Sequence, residues 1–532
     1  MIKMKKGNKI NKFDVESNLK LIAKTSLIVF VGIFISKILA YIFRITIARY
    51  YGPEVYGLFS LATMIFGMTI TFSLLGLTSG LARFIPQYRG KNESNQLSYL
   101  FRFTKKVLLI TSVISALFLF FLSEFIAVNI FHNIDLIIWI KILSFFVPIA
   151  ILSGIFLEAI KSYELISYHS FIFNILQNVM RVLILAILIL LGFNAPSAIV
   201  SYCLGFLAVL IASYAVCRYK IPGLFLKSKL SKKCKLKVRK GFLSYSIPLL
   251  FLGIVSIIFY WVDSFFLGYF KGAEAVGFYN AAVPIALLLA IIPEIFMQLF
   301  FPMINRHYSK NNFELINQLS KQIGKWIFMV NLPIFILIFI FPGAAINILF
   351  GSQYLIAENA LRILIFGSFI ASIGIISNNL LSMIGKSKLI LVDIIIASIM
   401  NIILNVLLIP LPSILGIDNS LGINGAAIAT TISVVSLSLL FFFQAKKNIG
   451  IIPMRLKMIK LFIIGIIPGV VLFYLRAFFP SQNLLFVALL VLSFLAVNAI
   501  LTLVSNSLDE NDIIIINAIW RRISRCPKKS KF

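Results

Sequence analysis

The sequence predicts an all-α polytopic membrane protein of about fourteen transmembrane helices, in two pseudo-symmetric six-helix lobes with two further helices at the C-terminal end. Three observations lead there. Apolar residues fill 60% of the 532 positions and charged ones 13%, with a mean hydropathy of +1.02, too much apolar surface for a water-soluble globule to bury. About fourteen separate stretches reach the roughly 20 apolar residues needed to cross a hydrocarbon core. The chain also repeats itself. Ala48–Ala62 matches a later stretch without a gap at a constant offset of 220, pairing Gly52 with Gly272, Glu54 with Glu274, Gly57 with Gly277 and Phe59 with Tyr279.

In chain order, a basic cytoplasmic N-terminus (1–24) precedes an N-terminal lobe (25–218) with spans expected at 26–47, 57–82, 107–130, 136–160, 168–191 and 197–217. A basic cytoplasmic linker (219–243) leads to a C-terminal lobe (244–445) with spans at 244–268, 276–303, 324–350, 357–383, 388–410 and 421–444. Transmembrane helices thirteen and fourteen occupy 446–505, at 457–478 and 484–505, and a basic cytoplasmic tail covers 506–532. In each lobe the first two spans are joined by the pattern G-x-E-x-x-G. A tight loop explains one copy, since glycine adopts backbone angles that other residues resist and a glutamate suits the start of the next helix. Two copies at one offset, together with Met180-Arg181 falling on Met400-Asn401, require a duplicated fold.

The net charge of +31 raises nucleic acid as a partner, and the distribution of that charge removes it. Most of the 49 lysines and arginines cluster in alternate loops, whereas the opposite loops hold only Arg49, Lys271 and Arg476. The basic side is cytoplasmic, which puts both termini inside and the protein in the cell membrane, in contact with anionic lipids. The basic N-terminus leads into a full-length span, so no cleaved signal is expected. Cys203, Cys217, Cys234 and Cys526 lack metal or redox spacing, no metal or other cofactor is expected, and no loop is long enough for a catalytic domain.

Function should lie where charge is least tolerated, because an ionisable residue at a span centre costs about 2.5–3.5 kcal/mol on insertion scales. On the first span Lys37, Tyr41 and Arg44 recur at helical spacing and share one face. The fifth carries Asn174, Gln177, Asn178 and Arg181. The seventh repeats the first span's stripe with Tyr260 and Asp263, the eighth pairs Glu294 with Gln298, and the eleventh carries Asp393, Asn401 and Asn405. Each admits a structural reading. Arg44 and Asp263 in particular suit an ion pair that locks the two halves. The sign pattern favours function: central charges of the first half are positive and those of the second negative. A cation-lined half-cavity in a repeated fold suits an anionic solute moved by alternating access.

Arg44 to Ala62, the run Leu75-Gly-Leu-Thr-Ser-Gly-Leu-Ala-Arg-Phe-Ile85, and Tyr260 to Ala282 with the later Phe300-Phe-Pro302 resemble polysaccharide-biosynthesis flippases. These belong to the multidrug, oligosaccharidyl-lipid and polysaccharide exporter superfamily. The resemblance implies a non-enzymatic flippase that moves a polyprenyl-phosphate- or diphosphate-linked oligosaccharide from the cytoplasmic to the outer leaflet. By position, Lys37, Arg44 and Arg181 are then the head-group ligands, and the remaining stripe residues line the cavity. The last two helices offer the lipid tail a path. Coupling to an ion gradient or to the membrane potential, and contact with glycan-assembly enzymes, follow from the same resemblance. Two alternatives share it, a lipid II-type peptidoglycan precursor flippase and a cation-coupled multidrug exporter. The exporter fits less well, because it usually stops at twelve helices and needs acids in its first lobe.

Overall fold

The computed structural model describes residues 12–478 and 484–505, with side chains from Gly32 onward apart from Leu299, Leu456 and those of 476–487. The outermost N-terminal residues 1–11 and the basic tail 506–532 lie outside this description, as does the side chain of Arg476. Among the described residues seventeen α-helices follow one another, with a two-residue antiparallel pairing, Ser413–Ile414 with Ile417–Asp418, in one loop. Helix is what a membrane demands, because each segment must satisfy its own N–H and C=O groups where no water can.

The helices are α1 (Lys12–Ser73), α2 (Leu77–Gly90), α3 (Ser94–Phe121), α4 (Leu136–Ser162), α5 (Ile166–Ser170), α6 (Gln177–Leu190), α7 (Ser197–Lys220) and α8 (Lys232–Lys271). Then come α9 (Ala273–Ala286), α10 (Leu288–Tyr308), α11 (Phe313–Ile340), α12 (Pro342–Leu349), α13 (Glu358–Met383), α14 (Ser387–Leu408), α15 (Ile423–Ile449), α16 (Leu456–Phe478) and α17 (Leu484–Val504).

Among the described residues eleven helices are long and apolar enough to span a membrane, or twelve with α9 and α10, bent by 42° at their junction, taken as one. The expected count of about fourteen follows from two further facts. Helix α1 holds two expected spans joined at Gly52, and α17 supplies the last.

Boundaries moved where backbone chemistry intervened. The second span stops at Ser73, short of residue 82, because Leu75 and Gly76 take φ of 47° and 67° and break the helix before α2. The expected span at 324–350 divides at Phe341, since Pro342 lacks an N–H and disfavours helix in the residue before it. The basic linker is partly helical. Ser231 caps α8 by accepting from the Cys234 N–H, which starts that helix at Lys232 and adds three turns before the expected span.

The chain gathers into two compact units. The first runs to Ala281 and includes Asn401–Ala426; the second comprises Ala282–Met400 and the chain from Ala427. The first unit thus holds both G-x-E-x-x-G copies. Its core is closed by Tyr56, Phe66, Phe101, Phe131 and Trp139, all essentially inaccessible. In the second, Phe300, Ile304, Ile316, Ile327, Ile376 and Leu380 pack α10, α11 and α13 together. Large apolar side chains such as Phe118, Leu190 and Ile211 point outward, as a hydrocarbon-facing surface requires.

Candidate substrate-binding site

The two G-x-E-x-x-G copies build the frame of the site. Gly52 (φ 85°, ψ 179°) and Gly272 (φ 85°, ψ −178°) share one backbone conformation, which an L side chain resists. Pro53 and Ala273 open the following helical segments, and Glu54 and Glu274 lie exposed in their first turns, favourable positions for negative charge. The two segments then meet. A Cβ on Gly57 would fall 1.7 Å from the Ala273 carbonyl oxygen, and one on Gly277 would fall 2.0 Å from that of Pro53.

On this frame α8 and α9 are tied by two rungs of equal spacing. The Tyr279 hydroxyl donates to Asp263 Oδ2 (2.8 Å), and Asn280 Nδ2 donates to Ser264 Oγ (3.0 Å). Asp263 Oδ1 accepts from Asn405 Nδ2 at 2.9 Å, with Asn401 Nδ2 at 3.5 Å, and Asn405 also donates to the Asn401 carbonyl. All three side chains are buried. At the equivalent of the Asp263–Tyr279 rung, the first half has Phe43 and Phe59, edge to face at 5.8 Å. The repeat conserves the rung and changes its polarity.

Arg44 hydrogen-bonds the buried Tyr56 phenol, whose own hydroxyl donates to the Asn280 carbonyl (3.1 Å). The groups acting electrostatically on Arg44 are Tyr56, Tyr260 and Tyr202, and Tyr41 belongs to the same group through Arg44, Tyr56 and Tyr260. Arg181 lies on an aromatic floor, its guanidinium carbon 4.0 Å from the Tyr202 ring centroid and 4.9 Å from that of Phe206. Its aliphatic stem fills the space above Gly205, where a Cβ would come within 2.6 Å of Arg181 Cγ. Tyr202, Cys203 and Arg44 act on Arg181, which also hydrogen-bonds Tyr202, and its Nε is buried without a hydrogen-bond partner.

The fifth-span stripe faces α1. Asn178 Nδ2 donates to Ser36 Oγ (3.0 Å), Asn174 Nδ2 donates to Ser170 Oγ (3.0 Å), and Gly32 leaves room for Ser170. Gln177 is buried on the same helix, and Lys37 is half-buried beside Ser36.

The structure thus gathers Tyr41, Arg44, Tyr260 and Arg181 around Tyr56 and Tyr202, and Asp263, Asn401 and Asn405 around Tyr279. Of the two residues read from the sequence as a candidate ion pair, Arg44 hydrogen-bonds Tyr56, and Asp263 accepts from Tyr279 and Asn405. Asp393 stands apart from the asparagines of its own helix, buried in the second unit with a hydrogen bond to Gln444. Glu294 is half-buried and Gln298 exposed on α10. Sequence reasoning missed Tyr56, Tyr202, Gly205 and Phe206, whose spacing in apolar helices reads as plain core. Lys325, at the start of the span expected at 324–350, is completely buried beside Gln322.

Known proteins bear on this arrangement. The chain is 28% identical to an uncharacterised membrane protein of Methanocaldococcus jannaschii over 75% of its own length and 78% of that protein's. It is 24% identical, over 64% of its length and 80% of the other's, to a Shigella flexneri protein named for O-antigen transport. Its fold is similar to that of the lipid II flippase MurJ in an inward closed conformation, with a TM-score of 0.69 and 17% identity, covering 90% of this chain and 99% of that one. The MatE family pattern matches residues 248–407, and the polysaccharide biosynthesis protein pattern matches residues 22–308. The latter spans more than half of the chain, which therefore belongs to the polysaccharide biosynthesis protein family.

Proposed function

We propose that this protein is a flippase for a lipid-linked oligosaccharide, carrying a polyprenyl phosphate or diphosphate head group from the cytoplasmic to the outer leaflet by alternating access. The observation that carries the reading is the pairing of Arg44 with Arg181. Arg44 acts on Arg181 alongside Tyr202 and Cys203, and Arg44 itself hydrogen-bonds the Tyr56 phenol. Two like charges in an apolar setting repel, and a bound dianion turns that cost into attraction. Guanidinium groups suit the task because their forked donors match phosphate oxygens in pairs. The Arg181 Nε is buried without a hydrogen-bond partner.

In this reading Lys37 is a third cation on the α1 face, Tyr41 and Tyr260 offer hydroxyls to the head group, and the Asp263 cluster holds α8 and α9 in place. Transport is non-enzymatic, and both termini are cytoplasmic. The family assignment and the likeness to a Shigella flexneri protein named for O-antigen transport support a glycan cargo. The test is direct binding of a short-chain polyprenyl diphosphate to the purified protein. Arg44→Gln and Arg181→Gln should each weaken it at least about tenfold, the loss expected from one charge-assisted pair. Unchanged affinity in both variants would exclude the site.

A further inference from the structure

The second unit contains a cavity of about 630 Å³, well within the roughly 300–1,000 Å³ of small-ligand sites. Its walls are apolar, chiefly Phe328, Ile373, Met458 and Phe462, and its two cations are Lys321 and Arg455. The mouth is a built feature. Gly450 turns the chain at φ 74° after α15, and the segment beyond it is clamped onto α11, where a Cβ on Gly324 would fall 2.2 Å from the Pro453 carbonyl oxygen. The Arg455 N–H then donates to Met458 Sδ (3.4 Å) as α16 begins.

Depth distinguishes the two ends. Lys321 and Arg455 belong to the basic segments that the charge rule assigns to the cytoplasmic face. Phe328 lies seven residues further along α11, about 10 Å deeper at helical rise. A cationic mouth at head-group level above an apolar wall matches a molecule with a phosphate and a hydrocarbon chain.

We propose that this cavity binds one anionic phospholipid of the cytoplasmic leaflet, its phosphate held by Lys321 and Arg455 and one chain laid along Phe328, Ile373 and Phe462. The bilayer's own lipid is favoured over the transported one because the latter's phosphate has the arginine pair of the first unit. The resident lipid would fasten α16 to α11 and α13.

Native mass spectrometry of the full-length protein with an equimolar mixture of phosphatidylglycerol and phosphatidylcholine tests this. The wild type should retain phosphatidylglycerol selectively. Lys321→Gln with Arg455→Gln should lower its retention about thirtyfold, each basic residue near an anionic surface being worth about fivefold. Lys446→Gln with Lys447→Gln, which removes the same charge from the same face, should leave it unchanged. Ile459→Trp, adding bulk at an exposed position of the cavity wall, should also lower retention and reports on the site if the double variant fails to fold. Equal retention of both lipids, an equal loss in the Lys446 and Lys447 variant, or displacement of phosphatidylglycerol by equimolar polyprenyl phosphate would each overturn the proposal.

Discussion

Gly57 and Gly277 occupy equivalent places in the two repeats, and each lies against the backbone carbonyl of the residue that opens the other's helix, Ala273 and Pro53 respectively. The contact is reciprocal. It turns a sequence offset into a local two-fold relationship between backbones, with no room for a side chain on either side.

Gly57→Ala and Gly277→Ala should therefore both destabilise the protein strongly. Overpacking usually costs about 1–3 kcal/mol, and these clashes are with carbonyl oxygens rather than with movable side chains, so values at or above the upper end are expected. Gly154→Ala is the control, because a Cβ there meets nothing within 4 Å. Thermal unfolding in detergent should separate the two classes; a Gly57→Ala protein as stable as Gly154→Ala would show that the interface yields.

Arg181 and Tyr202 should be energetically coupled. A desolvated cation over an aromatic face gains about 2 kcal/mol, and a double-mutant cycle on stability with Arg181→Met and Tyr202→Leu should return about 1–2 kcal/mol. Additive effects would mean that the floor beneath Arg181 does not hold it.

Asp263→Asn sets an amide nitrogen against a ring of donors. Because hydrogen bonds to a charged group contribute about 1.5–3 kcal/mol each, the variant should lose at least about 2 kcal/mol of stability. Tyr279→Phe removes one donor and should cost less. Protease resistance of the folded protein would rank them, and Asp263→Asn ranking with the wild type would mean that the carboxylate is not what organises α8 and α9.

Orientation is open to reporter fusions. Fusions at Pro53 and Lys271 should report the outside and fusions within 227–240 the cytoplasm, as the charge distribution requires. A cytoplasmic signal at Lys271 would contradict the repeat alignment together with the orientation.

Much of this molecule was legible in advance, for identifiable reasons. Hydropathy located the spans because a bilayer demands length and apolarity, and the repeat located the glycine frame because both copies retain the same turn residues. Buried polar side chains were legible as well, since Arg44, Arg181 and Asp263 stand out in apolar helices. Their partners were not. Tyr202 and Phe206 look like any aromatic pair one turn apart until Gly205 between them is seen to admit the Arg181 stem. Asp263 and Asn405 are separated by 142 positions, and nothing in either local pattern announces the contact. Asp393 shares a helix with Asn401 and Asn405, yet its hydrogen bond is to Gln444, because helical rotation decides which neighbour a residue meets.

The arginine pair is tested most directly by the leaflet distribution of lipid-linked glycan in cells that depend on this protein. With Arg44→Gln, and separately with Arg181→Gln, the glycan should accumulate on the cytoplasmic leaflet and its outward appearance should fall at least about tenfold, at unchanged levels of folded protein in the membrane. Wild-type outward flipping by the combined Arg44→Gln and Arg181→Gln protein would contradict the account.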